Sequence, residues 1–284
     1  MVAMYEKMSG EQLYLAGENT IWVADLAADG TLGEPAVVVD DLPDGDPHGR
    51  HTLAFGSDGM LYVSVGSSCN VRIETDPETA TIVRMNADGR DRTIFASGLR
   101  NTLGWDRHPE TGYLWGMDQG SDWRGDDQPP EELNNTVKGG NYGWPFCFGD
   151  GEPDVYGPYV PAGSTLEQNC ELADVPALNY PAYSSPIGMV YYAGDQFPDD
   201  FQGDTFVAMR SSWNRDPVIA YKIVHDQFED RQPVAIEDYI TGWLVEDDAP
   251  HFGRVAGPAL LPDGSMLISE DTNGVIYRVT CTGD

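Results

Sequence analysis

The chain has 284 residues and a mass of 31.1 kDa, enough for one large β domain or two smaller ones. A composition of 40% hydrophobic and 11% aromatic residues with 32 Gly and 20 Pro is that of a globular chain made of short strands and many turns. Its 47 acidic residues against 16 basic ones give a formal net charge of −31, which sets nucleic acid and anionic membrane surfaces aside as partners, because their phosphates would be repelled.

Self-repulsion on this scale must be screened by salt or offset by bound cations. A high-salt (halophilic) origin is therefore expected, with unfolding midpoints that rise between low and multimolar salt; midpoints indifferent to salt would mark an ordinary acidic extracellular protein instead. The N-terminus has no apolar core of a signal peptide, and no run of eighteen apolar residues marks a membrane span. Four cysteines, Cys69, Cys147, Cys170 and Cys281, show no zinc spacing. Cys147 and Cys170 flank one Pro/Gly-rich loop and are the best disulfide candidates; a bridge there would imply an oxidising compartment.

In chain order, Gln12 to Leu26 reads as two strands joined at Glu18-Asn19, and a third strand, Ala36 to Val39, leads into the turn-rich DDLPDGDPHGR. HTLAFGSDGMLYVSVG places a Ser57-Asp58-Gly59 turn between alternating strands, and ATIVRM and DRTIFASGL follow as two more. Leu103 to Met117 opens another unit with HPETG as its turn. Ile187 to Tyr192, Thr205 to Met209, Val218 to Val224 and Val234 to Ile240 form the next, and VAGPALLPDGSMLISEDTNGVIYRVT repeats the earlier Asp-Gly turn at Asp263-Gly264. No stretch shows sustained helical periodicity. Four-stranded units of roughly 40 to 50 residues point to an all-β fold, a β-propeller. Four fairly complete blades are expected, plus a partial one at the start, in a single domain over 1–284.

The densest stretch is Arg100 to Pro145. It holds an Arg-Asn pair, a strand from Tyr113 to Met117, a Gly120-Ser121 turn, four carboxylates between Asp126 and Glu132, and a Gly-rich aromatic turn. Long loops inside compact domains are usually functional or disordered, and the tryptophans and tyrosines argue against disorder. Carboxylates and backbone carbonyls among glycines make a hard-oxygen environment suited to Ca²⁺.

Several ordered motifs together resemble the soluble quinoprotein glucose dehydrogenase and L-sorbosone dehydrogenase family. They are the segment from His48 through TLAFGSDGMLYVSVGSSCN, GLRN at 98–101, DQGSDWRGDDQPPEELN, KGGNYGWPFCFGDG, SSWNR at 211–215, Gly253-Arg254 and PDGSMLISED. The resemblance runs from about residue 12 to 280 and is closer to the sorbosone branch. It implies a six-bladed propeller that oxidises an aldose or sugar aldehyde with pyrroloquinoline quinone (PQQ) and calcium, passing electrons to a quinone or dye acceptor. It also implies an extracytoplasmic location. About five of six blades are visible, so the chain is expected to lack roughly one blade at its N-terminus.

Taken alone, His48 is a histidine on a polar turn, and His51 is its competitor three residues on. The resemblance makes His48 the general base, a role for which imidazole has the right intrinsic basicity. Arg100 and Asn101, with Arg215 and Arg254, match the pocket that holds the quinone. Guanidinium forks suit its three carboxylates, and three of only 16 basic residues fall on these positions. Gly120 and Ser121 match the turn whose backbone carbonyls bind the cofactor's calcium, which would polarise the quinone C5 carbonyl toward hydride from the sugar C1. Glu131, Glu132 and Tyr142 resemble a second, structural calcium site; by themselves they read equally as a solvated acidic loop.

The pattern departs from the family where Val71-Arg72 follows SVGSSCN in place of a second cysteine shortly after Cys69, and where Arg210 and Tyr183 replace two histidines. A calcium-dependent lactonase-type hydrolase and a non-catalytic propeller binding glycans or a protein stay open, since propellers host many chemistries.

Overall fold

A computed structural model describes residues 12–44, 47–245 and 251–282, together with the backbone of 6–9. Gly45 and Asp46 of the turn-rich segment lie outside the described residues. The first sheet is β1 (Glu6–Ser9), β2 (Gln12–Ala16), β3 (Ile21–Asp25) and β4 (Ala36–Val39), in sequence order. The second is β5 (Leu53–Phe55), β6 (Leu61–Val65), β7 (Thr81–Met85) and β8 (Thr93–Ser97), antiparallel throughout.

The third sheet starts with β9 (Thr102–Arg107), β10 (Leu114–Asp118) and β11 (Glu131–Thr136). The chain then leaves it for a hairpin, β12 (Cys147–Phe148) with β13 (Glu152–Pro153), and a short helix, α1 (Leu166–Glu171). It returns as β14 (Leu178–Tyr180), which pairs with β11 to give the order β14-β11-β10-β9. The fourth sheet is β15 (Pro186–Tyr191), β16 (Thr205–Met209), β17 (Lys222–Glu229) and β18 (Gln232–Ile240), and the fifth is β19 (Val255–Leu260), β20 (Met266–Glu270) and β21 (Val275–Val279).

The chain divides into two compact units, one of residues 1–103 and 136–174, the other of 104–135 and 175–284. In the first, Tyr14, Ile21, Leu53, Leu61, Val63, Val83 and Met85 form one apolar core. In the second, Trp115, Met117, Leu133, Tyr191, Val207 and Val224 form another. The strands β6, β10 and β16 are buried at all five positions, so they are covered on both faces, whereas β21 has no buried residue. Each fully buried Val or Leu on these covered strands contributes about 2 kcal/mol.

Four expectations change. The first sheet is complete, and the three-stranded one lies last in the chain. The strand expected at Val218 starts at Lys222 and runs to Glu229, because Ala220 and Tyr221 take φ of 66° and 53°, outside the β region. A helix forms at Leu166–Glu171, where Thr165 and Gln168 make a reciprocal capping box. Glu131 and Glu132 belong to β11 and are buried, 2% and 7% exposed, so they are no solvated acidic loop.

Cys147 and Cys170 are disulfide-bonded, with Cα atoms 5.5 Å apart and a sequence separation of 23. The bridge ties the β12–β13 hairpin to α1, and closing a loop of this separation stabilises by about 3 kcal/mol on the chain-entropy account. Cys69 and Cys281 are free. No helix among the described residues is long and apolar enough to cross a membrane.

Candidate active site

In the first unit the site is built where β6 ends in Gly66-Ser67-Ser68 and where Leu99-Arg100 precedes β9. The backbone N–H of Ser67 donates to the Arg100 carbonyl at 2.8 Å, so the two loops are tied at the level of the side chains of interest. His48 lies across this junction. A Cβ on Gly66 would stand 2.7 Å from the His48 carbonyl and 3.0 Å from Asn101 Oδ1; only glycine lets the three segments approach this closely.

The half-buried His48 ring directs Nδ1 at both the carbonyl oxygen and Oγ of Ser67, each at 2.9 Å. A carbonyl can only accept, and Ser67 Oγ spends its own proton on the Cys69 carbonyl at 2.7 Å. Nδ1 therefore carries the hydrogen, and Nε2 keeps its lone pair. Burial pushes the His48 pKa down to about 4, and the positive charge of Arg100 adds to this against the opposing Ser67 carbonyl. The ring is thus a neutral base at any ordinary pH.

Arg100 is 4% exposed, donating from Nε to the Asn70 carbonyl at 3.0 Å and from Nη2 to Asn70 Oδ1 at 3.1 Å. Asn101 is equally buried. His51 is of a different kind. It is fully buried, with Nδ1 2.7 Å from the Ser64 carbonyl and Nε2 2.8 Å from that of Glu18, so both ring nitrogens serve the backbone.

In the second unit, Gly120 is packed so that a Cβ would sit 2.7 Å from Pro129 Cγ and 3.1 Å from two backbone carbonyls. Its N–H donates to Glu131 Oε2 at 3.0 Å, and the other oxygen of Glu131 accepts from Ser185 N at 2.9 Å. Glu131 thereby clasps the Gly120-Ser121 turn to a second turn, in which Tyr183 and Ser185 both have positive φ. Glu132 accepts from Asn134 Nδ2 at 3.3 Å. Neighbours on a strand face opposite ways, so the two glutamates do not point at one ion. Tyr142, in the other unit, accepts from Val137 N at 3.0 Å, and burial pushes its hydroxyl up to about 12.

Arg215, with its side chain 9% exposed, donates to the carbonyls of Ala182 at 3.1 Å and Pro217 at 3.0 Å and lies 3.5 Å from Asp127. Arg254 donates to Asp271 at 3.1 Å, and Arg210 pairs with the same carboxylate. Burial of Asp271 would raise its pKa, but the two guanidiniums outweigh it and hold the group below its ordinary value. Arg210 thus turns the departure from the family's histidine into an added cation beside Arg254. Sequence reasoning missed the orienting role of Ser67 and the shared Asp271; the only signals were a run of small residues after a covered strand and an acid immediately after β20. A cavity of about 650 Å³ lined by His108, Tyr192, Phe228 and Arg231 includes none of the candidate residues.

No three His, Cys, Asp or Glu side chains converge among the described residues; backbone carbonyls of a turn such as Gly120-Ser121 are donors of the hard-oxygen kind that suits Ca²⁺. The donor chemistry also fits a tricarboxylate quinone, with guanidiniums for its carboxylates.

An uncharacterised protein of Borreliella burgdorferi is 32% identical over 235 residues, a match that takes in 81% of this chain and 60% of that relative's length. Among solved structures, the holo form of the PQQ domain of pyranose dehydrogenase from Coprinopsis cinerea superposes with a TM-score of 0.81 at 18% identity, covering 99% of this chain and 82% of that one. The apo form of the soluble aldose sugar dehydrogenase of Escherichia coli gives 0.65 at 18%, covering 96% and 79%. The fold shared with these structures is the β-propeller expected from the repeating strands. The family model for glucose / sorbosone dehydrogenases matches residues 3–213, and the chain belongs to that family.

Proposed function

We propose that the chain is a sugar oxidoreductase that uses pyrroloquinoline quinone with Ca²⁺ to oxidise an aldose or a sugar aldehyde. The observation that carries this is the state of His48: a neutral imidazole whose Nδ1–H is fixed on Ser67, leaving Nε2 as the base for a sugar hydroxyl proton. The bound quinone would supply the two-electron acceptor. Arg100 and Asn101, with Arg215 and Arg254, would hold its carboxylates and carbonyls. The carbonyls of the Gly120-Ser121 turn would hold the cation, and Glu131 would keep that turn in place.

The family and the folds of the matched sugar dehydrogenases support the class of reaction, and the buried arginine beside the base supports a polyanionic cofactor in so acidic a protein. The disulfide supports an extracytoplasmic location, with a quinone or dye as electron acceptor. The test adds quinone and Ca²⁺ to the purified chain in high salt, follows binding by absorbance, and assays dye reduction with a panel of aldoses. Saturable, calcium-dependent binding with turnover is expected. A folded protein that binds no quinone would sink the proposal.

A further inference from the structure

Two tryptophans in the second unit are exposed side by side. Trp123 is 64% exposed and Trp213 58%; their rings meet edge to face with centroids 5.2 Å apart. They come from different loops, one after β10 and one after β16, and the loops are fastened by cross-contacts. Trp123 N donates to Asn214 Oδ1 at 2.7 Å, Trp213 Nε1 donates to Asp122 Oδ1 at 3.0 Å, and Asp216 N donates to Asp126 Oδ1 at 3.0 Å.

Trp123 and Asn214 also hold positive φ, 66° and 64°. For a bulky residue such as Trp123 that conformation is disfavoured and persists where its surroundings enforce it, while Asn adopts it readily. Two apolar rings are thus held rigid at the surface by polar contacts and backbone strain, an arrangement that core packing does not require.

We propose that Trp123 and Trp213 form a stacking platform for a pyranose ring of a sugar or oligosaccharide. The inference rests on the sugar-oxidoreductase reading for the class of ligand. The polarised C–H groups of one face of a pyranose meet the negative face of an indole favourably, while its hydroxyls find the carboxylate-rich rim of the same loops.

Size and charge separate this occupant from others. The two side chains expose on the order of 300 Å² together, enough for one or two sugar rings and well under the roughly 800 Å² per partner of a stable protein interface. The carboxylates of these loops, in a chain of net charge −31, disfavour an anionic ligand here, whereas a neutral sugar suffers no such penalty.

The experiment uses the whole chain without added cofactor, titrated with D-glucose, with cellotriose and with acyclic sorbitol. Binding is read by tryptophan fluorescence and by saturation-transfer NMR. Saturable binding of a cyclic sugar is expected, with none for sorbitol, at least ten-fold weakened in Trp123→Ala and in Trp213→Ala and largely kept in Trp213→Tyr. Because both rings are exposed, the variants should unfold at the wild-type temperature. Sugar affinity unchanged in both alanine variants, or no binding of either cyclic probe, overturns the proposal. So does tryptophan-dependent binding of poly-L-lysine without sugar binding, which would favour a cationic protein partner. Quinone titration of the same samples separates the two readings: sugar bound without quinone leaves the platform and removes the dehydrogenase, and quinone bound without tryptophan-dependent sugar binding does the reverse.

Discussion

Replacing His48 by alanine is expected to lower sugar-dependent dye reduction by about 10²- to 10⁴-fold, the usual contribution of a positioned general base, while leaving the quinone titration close to wild type. The expectation has a second, sharper part. With its pKa near 4, set by burial and by the Arg100 charge, the ring stays neutral well below the ordinary histidine range. The acid limb of kcat/KM should therefore be absent between pH 8 and about 5, where an unperturbed histidine would already have cut the rate near 6.5. Imidazole ¹⁵N shifts should report hydrogen on Nδ1, held by Ser67. Turnover retained in His48→Ala, or a profile that bends near 6.5, would remove His48 from the role of base.

The repeating strands were legible because propeller sheets are local objects. Each is written as consecutive strands with short turns, and the Asp58 and Asp263 turns are closed alike, by an aspartate accepting from the N–H two residues on. What failed to be legible depended on chain segments far apart. Glu131 and Glu132 have the composition of an exposed acidic loop, yet β14, arriving from more than forty residues downstream, turns them into a buried strand. His48 and His51 are equivalent in sequence; only the positions of the Ser67, Ser64 and Glu18 carbonyls show which ring serves the backbone with both nitrogens.

The disulfide could be anticipated because both cysteines bracket one loop, and the capping box at Thr165 could have been read from its spacing. The φ values at Ala220 and Tyr221 could not, since neither residue favours them. The aromatic platform lay equally beyond the sequence. Trp123 and Trp213 are 90 residues apart, and each alone reads as an ordinary hydrophobic position.

The second large effect lies in the sheet that carries the platform's second loop. Asp226 on β17 is fully buried. Its Oδ2 accepts from Thr205 Oγ1 at 2.8 Å, and its Oδ1 has no hydrogen-bond partner among the described residues. Burial pushes its pKa up to about 7, against the lowering effects of Thr205 and His225 and with a raising one from Asp204. His225 is itself 2.6 Å from Asp204, and burial likewise raises the hydroxyls of Tyr180 and Tyr191, with Asp226 adding to the rise.

A carboxyl whose pKa is higher folded than unfolded binds its proton preferentially in the native state. Its stabilising effect is therefore full below about pH 4 and is lost as pH rises toward 7. Between pH 5 and 8 the loss amounts to about 3 kcal/mol. Asp226→Asn keeps the volume and an acceptor for Thr205 but cannot ionise, so it should match the wild type below about pH 4 and gain a further advantage of about 3 kcal/mol over it between pH 5 and pH 8. Comparing the variant with the wild type at each pH, by denaturant unfolding at fixed high salt, removes the general effect of the other acidic groups. A stability difference between the two proteins that is the same at pH 5 and pH 8 would show that Asp226 is ionised in the native core, stabilised there by His225.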